Sequence, residues 1–141
     1  THYSLSFEGP LQIQNEWTYI NNDGKSFVNS ISTKPVRIIA PVSNVARNSS
    51  YTIYYDAPEL EDNENIEAEI RSQNGSTLVW SSIHVRGVST GFELRNLATL
   101  PAGPASLVIK RSKRSNLQNA TKEGGSIYSE YISKKTLIVI E

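Results

Sequence analysis

Oily and polar residues alternate with a period of two through most of this chain. Ile66, Ala68 and Ile70 are interleaved with Glu67, Glu69 and Arg71, the pattern of a strand buried on one face and wetted on the other. The same alternation runs through Tyr3, Leu5 and Phe7, through Leu11 and Ile13 toward Trp17 and Tyr19, and through residues 27–31. In residues 51–55 it puts Tyr51, Ile53 and Tyr55 on one face and Tyr54 on the other. Short apolar runs at 36–39, at Leu78-Val79-Trp80 and at 85–88 predict further strands. Residues 92–111 hold two more, with Phe92 and Leu94 before a corner and Leu107 and Ile109 after it.

Turn chemistry punctuates these runs. Asn21-Asn22-Asp23-Gly24 and Gln73-Asn74-Gly75-Ser76 predict hairpin turns, because Asn and Gly tolerate left-handed backbone. Gly9-Pro10, Ala40-Pro41 and Pro101 to Pro104 end strands, since proline lacks the amide donor that a ladder needs. Residues 112–126 are polar, contain Gly124-Gly125 and show no period; they predict a long mobile loop. Ile127, Tyr128 and Tyr131 predict a short strand beyond it. In residues 134–141, Leu137 and Val139 face one way and Ile138 and Ile140 the other, which predicts a strand enclosed on both sides.

No stretch carries a convincing helical period. The expectation is an all-β fold of about nine or ten strands, a single immunoglobulin-like antiparallel β-sandwich domain. Thr33-Lys34-Pro35 divides an N-terminal hairpin extension, residues 1–34, from a core over residues 35–141. Trp80 and Leu107 are expected in that core beside Leu94.

Composition narrows the functions. Fourteen basic residues balance fourteen acidic ones, without the cation surplus that duplex nucleic-acid binding rests on. There is no cysteine, which removes disulfides, thiolate catalysis and Cys-ligated zinc together. No apolar run approaches the ~18 residues of a membrane helix, so membrane insertion is not expected. The chain begins at Thr1 and has no Met, as expected of a processed product or an excised domain. Asn48-Ser-Ser, Asn74-Gly-Ser and Asn119-Ala-Thr match the N-glycan acceptor pattern.

Few groups suit catalysis. His2 and His84 are the only histidines; no serine sits in a nucleophile turn, and two imidazoles cannot make a three-histidine zinc site. Asp56, Glu59, Glu61, Asp62 and Glu64 form the densest run of carboxylates. A solvated acidic loop is one reading, and a calcium site built from Asp56, Glu59, Glu61 and Asp62 is another, since calcium takes oxygen ligands. A carboxylate pair cleaving a glycosidic bond is a third, against the small size of the domain. No cofactor other than calcium is implied, and the chain is expected not to be an enzyme.

Exposed aromatics among amides suit sugar rings, whose C–H faces stack on flat side chains while polar neighbours hold the hydroxyls. Trp17 and Tyr19 share a strand face close to Asn22 and Asp23, and Tyr54 points away from its apolar neighbours. These five are the candidate ligand-binding residues; the alternative for Trp17 is packing between the hairpin and the core. Lys110, Arg111, Lys113 and Arg114 form a basic stretch that suits an anionic polymer or, alternatively, a solubilising strand edge. Adjacent strand residues alternate faces, so the four cannot all converge unless the strand ends near Arg111.

The order from Val36 onward resembles extracellular immunoglobulin-like or fibronectin-type modules. The resemblance lies in the hairpin that contains Trp80 and in Phe-Glu-Leu-Arg-Asn-Leu, Leu-Pro-Ala-Gly and Ala-Ser-Leu-Val-Ile-Lys. With the closing Lys-Lys-Thr-Leu-Ile-Val run, it is also similar to C-terminal sorting domains of Bacteroidota exported proteins. The resemblance implies a secreted or cell-surface, non-catalytic module. The expected function is binding or attachment with polysaccharide as ligand; the alternative is a structural or sorting domain whose partner is a surface protein.

Overall fold

The computed structural model describes residues 13–39, 43–83, 91–94 and 97–141, with residues 78–83 and 92 described by their backbone alone. The strands expected over residues 3–7 and 85–88, and both histidines, lie outside the described residues. Eleven strands and one short 3-10 turn, Leu97–Thr99, make up the described elements, and no helix among them is long and apolar enough to cross a membrane. The chain is all-β.

The first hairpin is β1 (Gln14–Ile20) and β2 (Ser26–Ser32). Its turn closes as expected: Gly24 takes φ 76°, while the Asn21 side-chain oxygen accepts from the amides of Asp23 and Lys25. The remaining strands are β3 (Arg37–Ile38), β4 (Asn44–Val45), β5 (Tyr51–Asp56), β6 (Glu64–Ser72), β7 (Thr77–Ile83), β8 (Gly91–Leu94), β9 (Gly103–Asn116), β10 (Ser126–Ile132) and β11 (Thr136–Ile140). One sheet has the order β3-β5-β8; a second has β4-β11-β9-β6-β7, with β10 paired to β9 beside β11. All pairings are antiparallel except β4 with β11.

Both sheets contribute to one apolar cluster. Ile53 and Tyr55 of β5 and Leu94 of β8 meet Ile66, Ala68 and Ile70 of β6, Leu107 and Ile109 of β9, and Ile138 and Ile140 of β11. Each is at most 2% exposed, so a large aliphatic side chain here contributes on the order of 1.5–3 kcal/mol by leaving water. The corner at 101–104 does more than join neighbouring strands: β8 lies in one sheet and β9 in the other, so the chain crosses the core there, with Leu97 and Leu100 buried on the way. Trp80 lies opposite Glu69 in the β6–β7 register, and its side chain lies outside the described part.

Two sequence expectations fail. Residues 112–126 are not one long loop: β9 runs on to Asn116, and β10 returns antiparallel from Ser126, leaving only residues 117–125 between them. The apolar signal stops at Ile109 because the continuing strand has left the main core, yet the ladder does not need it. Nor is β11 enclosed on both sides, for Leu137 and Val139 are 81% and 44% exposed while Ile138 and Ile140 are buried.

β9 is the organising strand. β6 lines one of its edges, and β11 and then β10 line the other end to end. At the join, Ser133 exchanges bonds with Ile109: its amide donates to the Ile109 carbonyl at 2.8 Å, and its hydroxyl accepts from the Ile109 amide at 3.0 Å. The β9–β10 extension thus projects past the core, and β1–β2 lies against it.

Candidate ligand-binding surfaces

One apolar contact and one set of polar ties seat the N-terminal hairpin. Phe27 and Ile31 of β2 and Ile127 of β10 are buried apart from the main cluster, where β2 runs beside β10. Asn29, only 6% exposed, donates to the carbonyl of Asn119 and accepts from its amide, both at 2.8 Å. Gln118 does the same for the backbone of Ser30, at 3.0 Å each way. These amides behave as an extra pair of ladder rungs, tying residues 117–125 to β2.

The register places Trp17 opposite Asn29 and Tyr19 opposite Phe27, so both predicted stacking residues share the hairpin face that packs. Being on the outer strand, they are covered on one side only: Trp17 is 37% and Tyr19 47% exposed. Tyr19 leans on Phe27 with ring centroids 6.0 Å apart, and the Lys25 ammonium lies 5.2 Å from the Phe27 ring. Two positions along a strand separate their Cα atoms by about 7 Å. Asn22 and Asp23 are exposed in the turn that follows. Tyr54 does not join them. It is 51% exposed on the three-stranded sheet, opposite Gly91. A Cβ at 91 would come within 3.2 Å of its ring and 2.9 Å of the Ile53 carbonyl, so the ring lies over the glycine.

The carboxylates and the basic stretch find each other. Arg111 is buried with side-chain exposure of 1%. Its Nε and Nη2 donate to the two oxygens of Glu64, at 3.2 and 2.6 Å. Nη1 donates to the carbonyls of Pro35 and Pro58, at 3.4 and 2.8 Å, and Nη2 also to that of Glu59 at 3.0 Å. A guanidinium has five N–H groups, and each has an acceptor. Glu64 in turn accepts from the Glu61 amide at 2.9 Å, so one buried pair pins both the acidic loop and the linker at Pro35.

Glu61 accepts from Lys34 and Lys113, whose hydrogen bonds hold its carboxyl down at about 2. Asp56 pairs with Arg37 at 2.8 Å. Of the four residues read as calcium ligands, Asp56 and Glu61 therefore already face cations, while Glu59 contributes its carbonyl to Arg111. Among the described residues no three histidine or carboxylate side chains converge. Lys110 pairs with Glu69 at 2.7 Å, beside Arg71. Burial pushes the Glu69 carboxyl up, and its hydrogen bonds to Lys110 and Arg71 outweigh this and leave it lowered.

That leaves Arg114, as the alternation required: it shares the outer face with Lys110, while Arg111 and Lys113 face inward. Arg114 sits opposite Tyr128 of β10, its guanidinium carbon 5.8 Å from the ring centroid. Together with Asn63, Asn65, Ser112 and Asn116 they line an open depression of about 730 Å³ on the outer face of the β9–β10 extension. Tyr128 donates to Glu130 at 2.7 Å, and partial burial together with that bond pushes its phenol up to about 12. Sequence reasoning missed this surface because residues 112–126 read as a loop. The available signal was Gly124-Gly125, a turn pair just ahead of the short strand expected at Ile127, Tyr128 and Tyr131.

The chain matches no protein-family model, and no curated protein or solved structure is significantly similar to it.

Proposed function

We propose that the chain is a non-catalytic extracellular binding module of immunoglobulin-like architecture whose preferred ligand is a polysaccharide. The strand order supports the architecture: β3-β5-β8 corresponds to strands A, B and E, and β11-β9-β6-β7 to G, F, C and an added C′. The β1–β2 hairpin and β10 are additions, and both gather at the end where the loops after β5 and β9 lie. Loops held by a rigid sandwich are the usual place for recognition.

One observation carries the ligand: Trp17 and Tyr19 are about two-fifths to one-half exposed, side by side on an outer strand. Flat aromatic area beside the exposed amide and carboxylate of Asn22 and Asp23 suits a sugar ring and its hydroxyls. Tyr54, on another sheet, would at most serve a separate contact. Asn48, Asn74 and Asn119 are exposed, as glycan acceptors on a secreted chain must be. Affinity electrophoresis through gels loaded with a panel of neutral soluble polysaccharides tests the reading. At least one polymer should retard the protein, and Trp17→Ala should remove roughly tenfold or more of the affinity. No retardation, or retardation indifferent to Trp17→Ala, rejects it.

A second reading, a sorting or structural domain with a protein partner, draws on Leu137, Val139 and Ile132. All three are 44% or more exposed, and the first two are neighbours on one face of β11. Exposed apolar area of this kind marks protein contacts. Under that reading a Leu137→Ser/Val139→Ser variant would lose its location in the cell while its retardation by glycans stayed unchanged.

A further inference from the structure

The depression beneath Tyr128 is a site in its own right, on the face of the β9–β10 extension opposite the N-terminal hairpin. Its lining is mostly uncharged and polar: Asn63 just ahead of β6, Asn65 at the start of β6, Ser112, Ser115 and Asn116 of β9 beside Arg114, and Tyr128 of β10. Glu64 also borders it, but its carboxylate is taken by Arg111. Register places Asn65, Ser112, Arg114, Asn116 and Tyr128 on one face: Asn65 pairs with Ser112, and Arg114 with Tyr128. Its volume lies in the range of small-molecule sites, about 300–1,000 Å³, but it is open, as a site for part of a chain should be.

Charge selects the ligand. Of the four cations in the basic stretch, Lys110, Arg111 and Lys113 each hold a carboxylate. Arg114 is exposed, and among the described residues its contact is the Tyr128 ring rather than an acid. An arginine fork matches a carboxylate bidentately. Tyr128 is held in place by its bond to Glu130 and half exposed, which leaves ring area for a sugar face. The Asn63 amide is spent on the Arg114 carbonyl and the Ser115 hydroxyl, and that of Asn65 donates to Glu67, so Ser112 and Asn116 supply the contacts for sugar hydroxyl groups. A phosphate group fits less well: Glu130 stands beside the site, and a doubly charged ion meets more repulsion there than a singly charged carboxylate.

We infer that the Arg114–Tyr128 depression binds a uronic-acid residue of an acidic saccharide, Arg114 taking the carboxylate and Tyr128 stacking on the ring. The inference does not rest on the hairpin's aromatics, and Trp17→Ala should leave it intact.

Calorimetric titration of the whole chain with a short oligogalacturonate, and with a neutral galacto-oligosaccharide of equal length, tests it. The acidic ligand should bind roughly tenfold or more tightly than the neutral one. Arg114→Gln should abolish that preference, Arg114→Lys should restore only part of it, and Tyr128→Ala should weaken both ligands. Asn116→Asp, which adds a negative charge at the rim, should weaken the acidic ligand alone. Urea midpoints close to that of the native chain would show that these exposed substitutions leave the fold in place. Absence of oligogalacturonate binding, or binding unchanged by Arg114→Gln, overturns the inference. So does displacement by inorganic phosphate at equal concentration, which would reduce Arg114 to an unspecific cation. Loss of this binding in Trp17→Ala would merge the two surfaces and overturn their independence.

Discussion

The two halves of β9 face the same side of the same sheet and are held by different physics. In the first half, Ala105, Leu107 and Ile109 enter the shared apolar cluster; in the second, Arg111 follows them with the same two-residue step and is as deeply buried. Burial of Leu107 is favourable wherever apolar neighbours exclude water, and it prescribes no particular partner atom. Burial of Arg111 is tolerable only because Glu64 and three carbonyls accept from it, and those acceptors fix where the linker at Pro35 and the loop at 58–61 must run. The apolar half supplies stability. The charged half supplies position, and it does so at the junction between the apolar core and the end where the N-terminal hairpin and the β9–β10 extension lie.

The largest effect expected from breaking this contrast is at Arg111. Arg111→Met leaves the Glu64 carboxylate buried without its cation and should cost about 3–5 kcal/mol in urea unfolding. Leu107→Ala, a cavity in the other half, should cost about 2–5 kcal/mol. The double change Arg111→Met/Glu64→Leu separates them in kind. Removing both charges should recover more than about 1 kcal/mol of the single loss, while the carbonyls of Pro35, Pro58 and Glu59 stay without a donor and prevent full recovery. A double variant no more stable than Arg111→Met would remove charge burial from the explanation.

The apolar half was legible in the sequence, and the charged half was not. Ile53, Tyr55, Ile66, Ala68, Ile70 and Leu94 sit where period-two alternation puts them. Beyond Ile109 the same periodicity continues in polar residues, where alternation of hydropathy carries no signal. The acidic loop and the basic stretch each stood out as charge runs. Their pairing depends on the β6–β9 register, set by core residues of both strands, and so lay beyond any local pattern. Strand parity turned Tyr54 away from its apolar neighbours and put Trp17 and Tyr19 on one face, but the partial exposure of those two comes from β1 being an outer strand, which no local pattern shows. Leu137 and Val139 misled because a strand with two oily faces usually has two neighbours to cover them.

A smaller effect should come from the amide tie between the hairpin and the loop 117–125. Asn29→Ala removes both bonds to Asn119 and leaves a backbone amide and carbonyl without partners, at a cost of about 1–3 kcal/mol. The loss should be local. Hydrogen exchange should speed up in residues 117–125 and in β2, while amides of β6 beside Ile66 and Ala68 keep their protection. Equal acceleration throughout would mean that the extension and the sandwich unfold as one unit, and the two-part picture would have to go.

The smallest effect, and the most diagnostic of the polar end, is its response to acid. Hydrogen bonds from Lys113 and Lys34 lower the Glu61 carboxyl from 4.5 to about 2. A carboxyl depressed on folding adds stability above its unfolded value, and that stability is lost as pH falls from about 4.5 through 2. Glu61 is 45% exposed, so solvent screening should hold the contribution below ~1 kcal/mol. Other carboxyls titrate in the same window, so the quantity to follow is the difference between the native chain and Glu61→Gln. Urea midpoints at successive pH values should show a gap that is present at pH 6, narrows below 4.5 and is nearly closed at 2. A gap that stays constant would assign the loss to geometry instead of charge. Raised salt sharpens the distinction, because it should shrink the pH 6 gap at Glu61 and leave the buried pair at Arg111 almost untouched.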